Sequence, residues 1–325
     1  MHRRQAIVAL AAFPFAKSAF AGRSPGKKLR LAVIPKGTTH EFWKTIHAGA
    51  LKAQAELKAQ GREVELLWKG PLREDDRTEQ IAIVETFRTQ KVDGIALAPL
   101  DDKALVRPVE EAVKAGIPVV IFDSDLASKR HSSFIATDNA KGGALGAKRL
   151  GELLRGKGNV ILLRYNVGSA STDHRERGFL AGIAKFPGVK VVSSDKYAGA
   201  TAESAMKTSQ NLLNRFGKQV DGIFTPNESA TVGMLRALKD AGLLGKVKFV
   251  GFDASKPLID GLTAKHIHGL VLQDPFNMSY QAVRTLVQII DRQPVKPVID
   301  TGVHLATPEN MNEPRIEALL HPPVA

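Results

Sequence analysis

The chain has 325 residues, 43% of them hydrophobic and 24% charged, and no cysteine. That composition gives a globular protein enough apolar material for two ordinary cores. It excludes a chain-wide disordered protein, and without thiols there are no disulfides, thiolate metal sites, cysteine nucleophiles or lipidated-cysteine anchors. The formal charge of +13 is interleaved with acids, as in Lys103, Arg107, Glu110, Glu111 and Lys114. This is the pattern of a solvated basic surface, not of the basic arm or stripe of a nucleic-acid binder.

The first element reads as an export signal. Arg3 and Arg4 open it, residues 6–16 form an apolar run broken only by Pro14, and Ala19-Phe20-Ala21 supplies a small-x-small site. Residues 1–21 are therefore expected to be a signal peptide cleaved after Ala21. The run is shorter than the roughly 20 residues that span a bilayer, so the expected location is the periplasm, as an exported soluble protein. Arg3-Arg4 without the rest of a twin-arginine pattern leaves the export route open.

From Leu29 onward, short β-rich apolar runs alternate with amphipathic stretches. The runs at 29–35, 63–68, 92–98, 118–122 and 133–136 predict strands, as do those at 160–164, 189–193, 220–225, 247–252 and 269–273. The unbroken apolar character of Ile117-Pro118-Val119-Val120-Ile121-Phe122 suits a strand covered on both faces. The alternation predicts an α/β protein with doubly wound parallel sheets. Val92-Asp93-Gly94-Ile95 recurs as Val220-Asp221-Gly222-Ile223, and Phe122-Asp123 recurs as Phe252-Asp253, at nearly one offset. This weak repeat predicts two such lobes. Ligands of open parallel sheets gather beyond the carboxyl ends of strands, and clefts between domains are favoured small-molecule sites. Lys36, Asp123, Asn227 and Asp253 all stand just past expected strand ends.

Catalytic and metal constellations do not emerge. Asp173-His174 lies near Ser169 and Ser171, but the stretch lacks a nucleophile elbow. His266 and His268 have no third ligand nearby in sequence. Pro35-Lys36-Gly37-Thr38 stands where a dinucleotide glycine fingerprint would follow the first strand. No enzyme activity, metal or cofactor is expected.

Several stretches in order carry a resemblance. They are Glu41-Phe42-Trp43, the 116–123 segment ending in Phe122-Asp123, Thr137-Asp138-Asn139, Arg175-Glu176-Arg177-Gly178-Phe179, Asn227-Glu228, Val250-Gly251-Phe252-Asp253 and Gln273. From about Leu29 to about Glu313, the chain resembles the ribose- and galactose-type periplasmic binding proteins, which share their fold with the ligand-sensing core of lactose-repressor-like regulators. The resemblance implies that Phe42 and Trp43 flank a sugar ring and that Asp123 and Asp253 accept from its hydroxyls. Arg175, Asn227 and Gln273 would hydrogen-bond it from the second lobe. The chain departs from the ribose type at Ser124-Asp125, where an arginine follows the aspartate, at His40 in place of asparagine, and at Lys36 in place of a small polar residue. Ala200 stands where a third aromatic is found. Lys36, His40, Ser124 and Asp125 are therefore counted among the candidate ligand residues.

The expected architecture is two Rossmann-like lobes joined by a multi-strand hinge with a ligand cleft between them. Residues 28–137 plus 274–302 would form the first lobe, and residues 138–273 plus 303–325 the second. The implied function is capture of a small polar ligand, a neutral monosaccharide or polyol, by hinge closure and delivery to an inner-membrane ABC permease by a monomer. A sugar acid held by Lys36 or His40, and a receptor component for chemotaxis or signalling, stay open as alternatives.

Overall fold

The computed structural model describes residues 28–325; the export segment expected over residues 1–21 lies outside the described residues. The chain folds into two six-stranded sheets of matching topology. The first contains β1 (Leu29–Ile34), β2 (Val64–Trp68), β3 (Gly94–Leu97), β4 (Val119–Phe122), β5 (Ser133–Ala136) and β11 (Val298–Asp300), in the order β11-β5-β4-β3-β1-β2. The second contains β6 (Lys157–Leu162), β7 (Gly188–Ser193), β8 (Gly222–Phe224), β9 (Lys248–Phe252), β10 (Gly269–Leu272) and β12 (His304–Ala306), in the order β12-β10-β9-β8-β6-β7. The duplication hinted at by the repeated Asp-Gly and Phe-Asp pairs is thus a duplication of strand order.

Helices cover both faces of each sheet. Of α1 (Glu41–Ala59), α2 (Arg77–Thr89), α3 (Val106–Lys114) and α9 (Pro275–Ile290), α1 and α9 bury their apolar sides on one face of the first sheet and α2 and α3 on the other. In the second lobe, α4 (Asn139–Leu153) and α5 (Ala170–Ile183) cover one face. On the opposite face lie α6 (Ala202–Phe216), α7 (Glu228–Asp240), α8 (Lys256–Thr263) and α10 (Pro314–Leu320). This sandwiching explains why β3 and β4 are buried at every position and read as continuous apolar runs.

The chain passes from the first sheet to the second between β5 and α4, returns between β10 and α9, and crosses once more between β11 and β12. At the first and third crossings, Thr301 N–H donates to the Ala136 carbonyl at 3.0 Å, and the Thr137 hydroxyl donates to the Gly302 carbonyl at 3.1 Å. All strand pairs are parallel except β10 with β12. The exception follows from geometry. The sheets present their carboxyl ends to each other, so a chain leaving β11 at that end and running straight into the second sheet must run against its strands. Where a helix intervenes, as α4 does, the direction is restored.

Candidate functional site

Loops past strand carboxyl ends in the two lobes bring polar side chains from both sides around one hollow. Its lining includes Lys36, His40, Phe42, Trp43, Glu74 and Asp123 from the first lobe. The second lobe contributes Tyr165, Ser171, Thr172, Arg175, Asn227, Glu228, Asp253 and Gln273. The hollow measures about 30 Å³, room for one or two waters, so a larger guest enters only when the lobes part.

The two aspartates occupy equivalent places. Both have left-handed backbone, φ 61° at Asp123 and 70° at Asp253, a conformation that aspartate tolerates better than most residues. Each donates its N–H to the strand across, to Ile135 at 3.0 Å and to Val271 at 2.8 Å. The backbone bend at the end of β4 and of β9 thus turns each carboxylate toward the cleft. Asp123 pairs with Lys36 at 3.0 Å, and the same ammonium reaches across to the Ser171 hydroxyl at 3.0 Å. Asp253 accepts from Gln273 at 2.6 Å and from the Glu228 N–H at 3.0 Å. Burial raises its carboxyl above the usual range, against the pull of the Arg175 charge and the Gln273 bond.

Arg175, on the first turns of α5, is buried and uses three of its five N–H donors within the protein. It donates to Asn139 at 2.7 Å, to the Pro226 carbonyl at 2.9 Å and to Gln273 at 2.7 Å, and it lies 4.0 Å over the Phe252 ring. Asn139, which reads from sequence as part of a helix cap, is its positioning partner; Asp138 does the capping by accepting from Lys141 N–H at 2.9 Å. Asn227 donates to Ser229, while its side-chain oxygen is buried and accepts no hydrogen bond from the protein.

The first-lobe aromatics stand edge to face, Phe42 and Trp43 at 5.0 Å and 88°, and Trp43 is also a core residue of α1. The Phe42 N–H donates across the cleft to Glu228 at 3.1 Å. His40 bonds Glu74 through Nδ1 at 2.6 Å. Burial alone would lower its pKa, but the Glu74 charge and hydrogen bond, aided by Glu228 and Asp253, outweigh it and raise the imidazole to about 9. Burial likewise works against the Glu74 charge, yet His40, Lys36 and the Trp43 indole draw that carboxyl down to about 2. Burial pushes Glu228 up to about 7 despite His40 and the Phe42 N–H.

Nine of the eleven sequence candidates line the hollow: Lys36, His40, Phe42, Trp43, Asp123, Arg175, Asn227, Asp253 and Gln273. Ser124 and Asp125 do not. Ser124 is buried behind the hollow, where its hydroxyl accepts from the Ser171 N–H of the other lobe at 3.0 Å. Asp125 turns away to accept from the Leu126 N–H at 2.8 Å, because the bend at Asp123 spends its one inward-facing position on Asp123 itself. Glu74, Tyr165 and Glu228 were not among the candidates. Tyr165 supplies a second-lobe aromatic to the lining, whereas Ala200 is buried outside it.

Residues 31–294 match the family model described as a periplasmic binding protein domain. A xylitol-binding protein of Mycolicibacterium smegmatis is 30% identical over 63% of this chain and 57% of its own length. A D-ribose/D-allose-binding protein of Pseudomonas aeruginosa is 31% identical over 72% of this chain and 74% of its own. A carbohydrate transporter solute binding protein of Agrobacterium radiobacter, solved in complex with D-arabinose, superposes with a TM-score of 0.85 at 35% identity, covering 90% of this chain and 99% of that one. All three are named for a solute they bind and none for a reaction. With its paired six-stranded lobes and a polar hollow built from both, this chain belongs to the periplasmic binding protein domain family.

Proposed function

We propose that this chain captures a neutral monosaccharide or polyol between its lobes in the periplasm and delivers it, unchanged, to an inner-membrane ABC permease. The observation that carries the reading is the charge pairing of the hollow. Lys36 is bound to Asp123, His40 to Glu74, and Arg175 approaches Asp253 through Gln273. The three lining cations face four carboxylates, Glu74, Asp123, Glu228 and Asp253, so the lining carries no excess of positive charge for a carboxylate or phosphate guest, which speaks against the sugar-acid alternative. Carboxylates, amides and a guanidinium around a hydroxyl-rich guest exchange donors and acceptors in both directions, and Phe42 and Trp43 offer faces for its C–H surface. Xylitol, ribose, allose and arabinose, the ligands of the relatives, are all of this neutral kind. Four or five charge-assisted bonds of about 1.5–3 kcal/mol each total about 6–15 kcal/mol, a range that brackets the roughly 8 kcal/mol of a micromolar complex plus the costs of ordering and closure.

Residues 28–137 with 274–302, and 138–273 with 303–325, would move as two bodies about the three crossings, in the hinge closure known for periplasmic binding proteins. No helix of the described residues is long and apolar enough to cross a membrane; the carrier is taken to diffuse freely and to act as a monomer as part of the same proposal. A thermal-shift screen tests the ligand class. Xylitol, D-arabinose, D-ribose and D-allose are compared with ribonate, arabinonate and ribose 5-phosphate, since a ligand that binds only the folded state raises its melting temperature. One or more neutral compounds should stabilise the protein, and Asp123→Ala and Asp253→Ala should each abolish the shift. Stabilisation by the acids or the phosphate alone would reject a neutral ligand.

A further inference from the structure

Glu74 lies in the loop after β2, within Arg73-Glu74-Asp75-Asp76, and it alone of the three acids is buried. Its two oxygens collect three donors from three directions. His40 Nδ1 stands at 2.6 Å, the Trp43 indole N–H at 2.8 Å and the Tyr165 hydroxyl at 2.7 Å. A carboxylate offers about four acceptor sites, so the protein itself takes up most of its capacity. Two of the donors belong to the first lobe, while Tyr165 follows β6 in the second and is 2% exposed. With His40 Nδ1 committed to Glu74, Nε2 remains as the ring's other hydrogen-bonding nitrogen on a residue that lines the hollow.

We infer that Glu74 is a positioning residue: it acts on the ligand through His40, Trp43 and Tyr165 without touching it, and its bond to the Tyr165 hydroxyl latches the lobes together across the hollow without any guest. The first half rests on the hollow being the ligand site, as proposed above; the latch does not. Held this way, His40 presents a charged donor where the ribose-type pattern has asparagine, which favours a guest with an acceptor oxygen at that point. The acids facing the imidazole come from four places: Glu74 itself, Glu228 on α7, Asp253 after β9 and Glu203 on the first turn of α6. Only Glu74 hydrogen-bonds it. Other bonds join the lobes, among them Lys36 to Ser171 at 3.0 Å and, at the rim, Arg77 to the Val167 carbonyl at 2.7 Å. Like the Phe42 N–H bond to Glu228 at 3.1 Å, the Glu74–Tyr165 bond joins a carboxylate to a donor inside the buried lining, and it differs in being shorter, at 2.7 Å, and in linking two side chains.

Because the chain has no cysteine, Lys129→Cys and Lys196→Cys, both exposed and one in each lobe, take spin labels without background. Interlobe distances are measured by pulsed EPR on the full-length chain without added sugar, in the parent, Tyr165→Phe and Glu74→Gln. The His40 imidazole is titrated by NMR in the same three proteins without labels. Both variants should show a several-fold larger long-distance population than the parent. Glu74→Gln should also bring His40 from about 9 toward the ordinary 6.5, while Tyr165→Phe leaves it near 9. A Tyr165→Phe protein with the parent's distances overturns the latch. A Glu74→Gln protein whose His40 still titrates near 9 overturns the positioning role, because Glu74 would then not be what holds the imidazole charged. Neither readout uses a ligand, so a failed sugar screen and a failed latch are told apart.

Discussion

Replacing Gly143 by alanine should both destabilise the protein and disarm its ligand site. Helices α4 and α5 cross so closely there that a β-carbon on residue 143 would stand 1.8 Å from the Arg175 carbonyl oxygen and 2.7 Å from the Phe179 nitrogen. Real contacts of this kind essentially never fall below 3.0 Å, and the obstacle is backbone, so α5 must retreat by more than about 1 Å. The three Arg175 bonds, at 2.7, 2.9 and 2.7 Å, have little slack before they leave hydrogen-bonding range. Overpacking of this sort costs about 1–3 kcal/mol, and one charged bond lost adds about 1.5–3 kcal/mol. A loss near 4 kcal/mol follows, together with a roughly 10- to 100-fold weaker complex if the same shift costs the guanidinium one charged bond to the ligand. Urea unfolding reads the first quantity and isothermal titration with the best sugar from the thermal-shift screen reads the second. An alanine variant within 1 kcal/mol of the parent, with its affinity intact, would refute the claim that α5 has no room to move.

Other substitutions and conditions follow from the same contacts. Arg175→Lys cannot reach Asn139, Pro226 and Gln273 together or stack on Phe252, and should cost about 3 kcal/mol in urea unfolding because buried acceptors near Asp253 lose their partner. His40, raised to about 9, lends stability that is complete below its ordinary 6.5 and fades as pH climbs through 9. At about 1.4 kcal/mol per pH unit, the ceiling is near 3 kcal/mol. Unfolding measured at pH 7 and pH 10 should show that loss, and Glu74→Gln should remove most of it. Glu228 acts in the same direction at lower pH. With its carboxyl raised to about 7, its burden is absent below the ordinary 4.5 and grows as pH rises through 7. Glu228→Gln should therefore flatten the stability profile between pH 5 and 8, and an unchanged profile would show that this carboxyl ionises at the same pH in the folded and unfolded chain, refuting the raised value.

The central strands β1, β3, β4, β8, β9 and β10 were legible because they are buried on both faces and so carry nearly uninterrupted apolar runs. Of the four edge strands, β2 and β7 were legible as well, but β11 and β12 were not. Each is three residues long, and β11 follows Pro294 and Pro297 with Val298 at 62% exposure, so no apolar pattern marks it. The acids and amides past strand ends were legible for a topological reason, since a side chain at that place in a parallel sheet faces the cleft whatever its neighbours are. Glu74 was hidden by its company, because a basic residue and three acids in a row look like solvated surface and sequence alone does not say which one turns inward. Tyr165 was hidden because the resemblance points to the loop that holds Ala200 for the second-lobe aromatic, whereas the ring comes from the loop after β6. Ser124 and Asp125 were over-read. Their departure from the ribose pattern is real, but one residue beyond a left-handed bend the chain has already turned away from the cleft.

The late return of the chain to its first sheet bears on how the protein is assembled. β11 pairs with β5, yet five strands of the second sheet lie between them in sequence. Until residues 298–300 arrive, the backbone groups along the outer side of β5 have no partner, while the second lobe can already have formed most of its core. An unpaired strand edge is a template for other chains, so crowded folding intermediates should associate through Ser133–Ala136, and changes that weaken the brief β11 pairing should lower refolding yield well before they lower the stability of the finished molecule.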